Sequence, residues 1–229
     1  MRTGVSWREK LISAVFPARC AICGQVTAGG RRICPQCEEQ SLPQAVFRRL
    51  EESTSFDGDV FCVSPFLYEG LPRRMVLDLK FRGKKKNARW LAERLVLVLP
   101  PRWQTVDVVC WVPMSDIRKK ERGYDQSQLI ARHTAKRLGR PCRKLITKFR
   151  ENQTQHELDA RERAINVMGV YKSNPSRVSG KRILLIDDIV TTGATLSACI
   201  QALKKAGAAE IHCACATDVG RDLKGESQK

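Results

Sequence analysis

The chain has 229 residues, 42% of them hydrophobic and 28% charged, which is ordinary for a globular protein and sufficient for a core that needs no disulfides. Its formal net charge of +17 is not ordinary and favours polyanionic partners, such as nucleic acid, an anionic membrane surface or phosphorylated ligands. A basic surface without a dedicated partner is the alternative.

The first 16 residues mix charged and apolar side chains, and 6–16 predict a short amphipathic helix. They lack the uninterrupted apolar core of a secretory signal, and no later stretch is apolar for long enough to span a bilayer. We therefore expect no transmembrane segment and a cytoplasmic location, where cysteines stay reduced.

Four of the ten cysteines form two Cys-x-x-Cys pairs, Cys20 with Cys23 and Cys34 with Cys37. Each pair can place two thiolates on one ion, so together they predict a closed, structural Zn²⁺ site. Disulfides or a redox dithiol are the alternatives, which the expected compartment disfavours. We expect the other cysteines to be small core residues.

The predicted elements after the cysteines begin with a polar, turn-rich linker over 41–58. Residues 60–68 predict a strand, which Pro65 assigns to a sheet edge. Helical patterns follow near 71–81 and 87–99.

From residue 106 the pattern alternates between strand and helix, which predicts a parallel sheet with flanking helices. The predicted strands are 106–114, 143–149, 181–189 and 210–217, and the predicted helices are 124–138 and 193–206. Residues 150–168 are polar. The expected organisation is a helix and zinc module (1–45), a basic connecting region (46–105), an α/β domain (106–220) and a polar tail (221–229).

The segment 183–195 reads ILLIDDIVTTGAT, an apolar strand that runs into Asp187 and Asp188. Ligands bind at the carboxyl edge of open α/β sheets, where carboxylates can accept hydrogen bonds from ribose hydroxyls or hold Mg²⁺. The following loop can encircle a phosphate at the positive end of a helix. Its residues are Thr191, Thr192, Gly193, Ala194 and Thr195. A chance acidic pair in another doubly wound protein is the alternative.

This segment resembles the phosphoribosyl-pyrophosphate-binding motif of type I phosphoribosyltransferases. The resemblance implies their α/β fold, with the acidic pair on the ribose hydroxyls, the loop on the 5′-phosphate, and Mg²⁺ with the ligand. Purine-specific members carry an acid where this chain has Thr191, which argues against purine salvage. We assign no catalytic residue.

Further segments resemble the ComF subgroup of competence proteins, also called ComFC or GntX-like. The matching parts are the cysteine cluster, Tyr68 with 79–83, Val112 to Met114 with 118–126, and selected residues of 150–167. The resemblance implies a role in DNA uptake, at the cytoplasmic face of the uptake machinery, with single-stranded DNA and a helicase of the ComFA type as candidate partners. An active transferase of unknown acceptor, or a scaffold that has lost the chemistry, are the alternative functions.

Three groups of basic residues are candidates for anion contacts. After the predicted strand 106–114, the pyrophosphate or polyanion candidates are Arg118, Lys119, Lys120 and Arg122, with a solvated helix start as the alternative. The polar stretch corresponds to the loop that closes over the site in this fold, with the candidates Arg150, Arg161 and Arg163, which are otherwise ordinary loop charges. A third cluster has Tyr68, Phe81 and Trp90 nearby in the sequence, which suits single-stranded DNA; the alternative is that Phe81 and Trp90 are core residues. It comprises Lys80, Arg82, Lys84, Lys85, Lys86 and Arg89.

Overall fold

The computed structural model describes residues 18–20, 22–27, 31, 33–50, 60–149 and 170–220. The helix expected at 6–16, the tail 221–229, and the polar stretch 150–168 with Arg150, Arg161 and Arg163 lie outside the described residues. The chain divides into two compact units, Met1–Leu42 and Pro43–Lys229.

The smaller unit is organised around its cysteines. An antiparallel bridge joins Arg19 to Val26. Gly24, directly after Cys23, takes a positive φ in the turn that this bridge closes. Helix α1 (Pro35–Glu39) begins directly after Cys34, whose sulfur accepts a hydrogen bond from the Cys37 N–H. Both cysteines of the second pair are therefore held at the start of α1, where they are buried.

The larger unit contains a five-stranded sheet in the order β1-β2-β7-β6-β3. The strands are β1 (Val46–Leu50), β2 (Val60–Ser64), β3 (Val108–Trp111), β6 (Arg182–Val190) and β7 (Glu210–Asp218). The strands β2, β7, β6 and β3 run parallel, and β1 pairs antiparallel with β2. The predicted parallel sheet with flanking helices is therefore confirmed, with one antiparallel strand added.

Two expectations for the region before the α/β pattern were wrong. The expected linker contains β1, and β2 lies between β1 and β7 rather than at an edge. The buried positions of β1 are Arg48 and Leu50. Because one of them is charged, the sequence of β1 does not show the alternation of apolar and polar residues that predicts a strand. The Arg48 side chain is paired with Asp218 of β7, which compensates the buried charge. Pro65 follows β2, so its missing N–H interrupts no bond of the strand.

Three helices cover one face of the sheet: α2 (Gly70–Phe81), α3 (Lys86–Val98) and α5 (Gln126–Leu138). Each was predicted from its periodicity. The α3 stripe of Leu91, Leu95 and the adjoining Leu99 is buried, as expected for a helix that packs on a sheet. A short helix that was not predicted, α4 (Asp116–Arg122), connects β3 to α5.

The opposite face carries α7 (Ala194–Lys205) and a small two-stranded antiparallel sheet of β4 (Ile146–Lys148) and β5 (Tyr171–Ser173). A one-turn helix, α6 (Pro175–Val178), follows β5. The strand predicted at 143–149 is thus present as β4, but it belongs to the small sheet and not to the main one. The core on this face includes Ile183 and Leu185 of β6 together with Leu196 and Ile200 of α7.

Five cysteines of the larger unit are fully buried among apolar side chains, as expected for small core residues. They are Cys62, Cys110, Cys199, Cys213 and Cys215. Among the described residues, no helix is long and apolar enough to cross a membrane.

Candidate functional site

The acidic pair lies inside β6, near its carboxyl end, and not in the loop that follows. The strand pairing with β7 continues past the pair, joining Ile189 to Thr217 and Val190 to Asp218. The Thr217 hydroxyl also donates a hydrogen bond to the Asp188 carbonyl at 3.2 Å. The backbone that carries both carboxylates is therefore held by the sheet.

The two carboxylates point to opposite faces of the sheet, because neighbouring residues of a strand alternate. Asp187 shares its face with Ile183 and Leu185, which pack against α7. Asp188 points to the side of the α2 helix, where the Lys80 ammonium lies 3.0 Å from its Oδ2 atom. A molecule that touched both carboxylates would therefore have to reach them over the edge of the sheet.

The Asp187 carboxylate is half-buried and accepts two hydrogen bonds on Oδ1. The Ser127 hydroxyl donates one at 2.7 Å, and the Asp188 N–H donates the other at 2.9 Å. Burial, assisted by the charge of Asp188, raises the pKa of Asp187 to about 7, and these hydrogen bonds oppose the rise. Asp187 is therefore easier to protonate than an ordinary carboxyl group.

The loop after β6 has the geometry of an anion cradle. Gly193 takes a φ of +88°, which favours glycine, and α7 begins at the next residue. The Thr192 hydroxyl accepts a hydrogen bond from the Ala194 N–H at 3.3 Å, and Thr191, Thr192 and Thr195 are exposed. Exposed hydroxyls and the start of a helix thus follow the acidic pair within a few residues, an arrangement that suits an anion.

The pyrophosphate candidates belong to α4, at the same edge of the sheet as the acidic pair. The strand before α4, β3, pairs in parallel with β6, where Trp111 is the partner of Ile186. Arg118, Lys119 and Lys120 are exposed. The Arg122 guanidinium lies over the ring of Phe81, with 5.0 Å between its central carbon and the ring centroid.

The cluster expected to bind DNA is divided in the structure. Lys80 contacts Asp188 of the acidic pair, whereas Arg82 and Lys84 both pair with the buried Asp78. Lys85 lies 4.9 Å from the centroid of Tyr124, and Arg89 pairs with Glu93. Lys86 is exposed.

The aromatic neighbours of this cluster also differ from each other in exposure. Trp90 stacks on Phe66, with ring centroids 5.5 Å apart, and is covered by Arg94. Phe81, by contrast, is 67% exposed. Phe81 is thus a surface aromatic beside the basic residues, and Trp90 is part of the packing between α3 and the sheet.

Sequence reasoning missed three residues around the acidic pair. Ser127 and Asp125 stand at the start of α5, where Asp125 caps the helix by accepting from the Gln128 N–H at 3.0 Å. Burial raises the pKa of Asp125 above its usual range, and burial likewise raises that of Tyr171 on β5. Asp187 was selected because ligands bind at the carboxyl edge of open α/β sheets. The segment after β3 begins at the same edge, so the same reasoning would have selected Asp125 and Ser127.

The four cysteines of the smaller unit form a cluster that fits a tetrahedral metal ion. Their sulfur atoms all lie within 4.8 Å of one another. The N–H groups of Cys23 and Cys34 donate to the Cys20 sulfur at 3.5 and 3.3 Å. Burial raises the pKa of the Cys20 thiol, but these backbone hydrogen bonds outweigh it and lower the pKa to about 6, which favours the thiolate form that binds metal. The donor set is that of a structural Zn²⁺ site.

Family comparisons agree with both units. Residues 86–228 match the family described as Phosphoribosyl transferase domain, and residues 11–46 match the Double zinc ribbon domain. The fold and the site therefore define a phosphoribosyltransferase-type α/β domain preceded by a zinc ribbon with a four-cysteine cluster.

Relatives that align with most of the chain show to which family within this class it belongs. The DNA utilization protein YhgH of Salmonella typhimurium is 32% identical, over 86% of this chain and 90% of the relative. The competence protein ComFC of Bacillus subtilis is 26% identical, over 90% of this chain and 85% of the relative. The chain belongs to the ComF family of competence and DNA utilization proteins.

A solved structure is also similar to part of the chain. It is the glutamine phosphoribosylpyrophosphate amidotransferase from B. subtilis complexed with ADP and GMP, at 24% sequence identity and a TM-score of 0.39. The alignment covers 56% of this chain and only 26% of the amidotransferase chain.

Proposed function

We propose that the chain binds phosphoribosyl pyrophosphate, or a related phosphorylated ribose, with Mg²⁺ at the carboxyl edge of its sheet. One observation carries the proposal: the carboxylates of Asp187 and Asp188 and the anion cradle at 191–195 follow one another along a single strand, loop and helix start. A molecule that joins a diol to a phosphate over a few bonds matches this order.

The residues of the site have complementary tasks in this proposal. The carboxylates accept hydrogen bonds from the ribose hydroxyls, and the Ser127 hydroxyl holds Asp187 in place. The loop binds the 5′-phosphate through N–H groups and hydroxyls. Bound Mg²⁺ neutralises phosphate charge, and the carboxylate oxygens are donors that it prefers, directly or through water. The exposed cations of α4 attract the pyrophosphate.

Calorimetric titration with phosphoribosyl pyrophosphate and Mg²⁺ tests this site. We expect Asp187→Asn with Asp188→Asn to weaken binding by about tenfold or more, because hydrogen bonds to charged groups are removed. The matched control is Asp107→Asn, which removes an exposed carboxylate that pairs with Arg182 at the opposite end of β6. Equal affinity of the double variant and the wild type would refute the site.

We further propose that the chain handles single-stranded DNA at the cytoplasmic face of a DNA-uptake machinery, with a helicase of the ComFA type as a candidate partner. The net charge of +17 and the names of the relatives support this role. The exposed Phe81, flanked by Arg122 and the lysines after α2, offers stacking and phosphate contacts in one place.

Fluorescence anisotropy with a labelled oligothymidylate at several salt concentrations tests DNA binding. We expect wild-type affinity to fall steeply with salt, since binding to phosphates releases counterions. Lys85→Gln with Lys86→Gln should reduce the slope by about 0.7 for each phosphate that the variant no longer neutralises. Lys181→Gln with Lys205→Gln removes the same charge at the opposite edge of the sheet and should leave the slope unchanged. An identical slope in both double variants would exclude this surface.

A further inference from the structure

We infer that Lys80 is the resident cation of the sugar-phosphate site, so that the chain retains affinity for phosphoribosyl pyrophosphate when no divalent metal is present. This inference rests on the proposed function. It assigns Lys80, which the sequence grouped with the residues expected to bind DNA, to the sugar phosphate instead.

The contact between Lys80 and Asp188 is shielded from solvent. The ammonium lies 3.0 Å from the carboxylate oxygen, and the two side chains are only 20% and 12% exposed. Salt and water screen such a pair far less than an exposed one. By comparison, the side chains of the Arg182–Asp107 pair are 44% and 41% exposed.

The backbone around Lys80 is held on both sides, which fixes the point from which its side chain extends. The Tyr124 hydroxyl, from the turn between α4 and α5, donates to the Leu79 carbonyl. The side chain of the buried Asp78 accepts from Arg82 at 3.1 Å and from Lys84 at 2.8 Å. The carbonyl of the same residue accepts the N–H groups of Arg82 and Lys84. The end of α2 is therefore braced against the carboxyl edge of the sheet.

The charge at the site explains why a cation is needed there. Two adjacent carboxylates repel a ligand that carries several phosphate charges, and a bound divalent ion ordinarily removes that repulsion. The Lys80 ammonium brings one positive charge to the same carboxylate. An ammonium has three N–H donors, so one can serve Asp188 while the others serve ligand oxygens.

The neighbouring lysines do not share this placement. Lys84 is paired with Asp78, and Lys85 lies over the Tyr124 ring. Lys80 is thus the member of the cluster that the structure brings to the acidic pair.

Calorimetric titration of phosphoribosyl pyrophosphate, in Mg²⁺ and in EDTA, tests the inference. We expect the affinity of the wild type to fall by about tenfold or less in EDTA, and that of Lys80→Gln to fall by a further tenfold to hundredfold there, as for a hydrogen bond to a charged group. The effect of Lys80→Gln in Mg²⁺ should be smaller. Lys80→Arg keeps the charge and should retain most of the metal-free binding.

The controls separate this inference from the proposed function and from misfolding. Lys205→Gln changes an exposed lysine in the last turn of α7, at the far end from the cradle, and should behave as the wild type in both buffers. Thermal denaturation checks that each variant is folded. Wild-type binding that requires Mg²⁺ altogether, or equal metal dependence in the wild type and Lys80→Gln, overturns the role of Lys80 alone. No binding in either buffer overturns the proposed function as well.

Discussion

The buried charge of Arg48 is compensated by a partner that is distant in the sequence. Arg48 of β1 and Asp218 of β7 form a two-point ion pair, and Asp218 also accepts the Gly220 N–H at 2.7 Å. Removal of one partner from such a buried pair costs about 3–5 kcal/mol. The pair therefore links β1 to the end of β7. It also explains why β1 carries a charged residue at a buried position, where a strand is ordinarily apolar.

His212 is expected to make stability depend on pH. Its ring stacks on Trp103 with centroids 4.8 Å apart, and its Nε2 lies 3.3 Å from a Glu210 carboxylate oxygen. Burial lowers the pKa of His212 below 6.5, with Arg102 and Arg182 in the same direction and Glu210 opposing. The unfolded chain thus takes up a proton at a higher pH than the folded one. The contribution to stability is complete above the unfolded pKa and is lost as the pH falls through the folded pKa.

Urea unfolding between about pH 7.5 and pH 5 tests this expectation, since that range spans the ordinary histidine pKa. The free energy of unfolding should fall towards the acidic end in the wild type, and the fall should be smaller in His212→Gln. Parallel curves for the two proteins would show that His212 does not set the pH dependence.

At the scale of elements, the strand–loop–helix unit of β6 and α7 depends on Gly193. A Cβ atom added at Gly193 would lie 2.9 Å from Leu50 Cδ2, and its φ of +88° is strained for other residues. Gly139, at the end of α5, has a φ of +64° and no atom within 4 Å of an added Cβ. The two glycines share the backbone strain and differ in their surroundings.

We expect Gly193→Ala and Gly139→Ala each to lower the free energy of unfolding by about 1–2 kcal/mol, because both place alanine in a left-handed conformation. Only Gly193→Ala should also weaken binding of phosphoribosyl pyrophosphate, since only it distorts the anion cradle. Thermal denaturation and calorimetry give the two readouts. Unchanged ligand affinity in Gly193→Ala would contradict the assignment of the cradle.

Elements with a clear period could be predicted from the sequence, and those shaped by distant contacts could not. The helices α2, α3 and α5 and the strand β6 follow from their apolar patterns. The strand β1 was missed because Arg48 occupies a buried position. The approach of Lys80 to Asp188 was missed because local charge density made Lys80 one of several surface cations, whereas the packing of α2 directs it to the site.

At the scale of the whole molecule, the two compact units depend on different kinds of stabilisation. The larger unit has an extensive apolar core on both faces of its sheet. The unit Met1–Leu42 is far smaller, and small modules of this size ordinarily need a metal or disulfides to fold. The four clustered cysteines supply the ligands for that metal.

We expect one zinc ion per chain by elemental analysis, and no zinc in Cys20→Ser with Cys23→Ser. Hydrogen exchange should then show reduced protection in the smaller unit, because metal binding and folding are coupled there, while the core strands of the larger unit stay protected. Cys142→Ser, which changes a half-buried cysteine of the larger unit, is the control. Zinc retained after the double substitution would contradict the four-cysteine site.

The continuation of β6 beyond its acidic pair has a consequence for engineering. Because Ile189 and Val190 remain paired with β7, the carboxylates are anchored on both sides within the sheet, and the anion cradle begins only after that anchor. Under the proposed function, we expect a change of length or composition at Thr191 and Thr192, with Gly193 kept because an added Cβ there would meet Leu50, to alter phosphate recognition without displacing the carboxylates. Loop exchange at this point would then change anion selectivity while the scaffold stays the same.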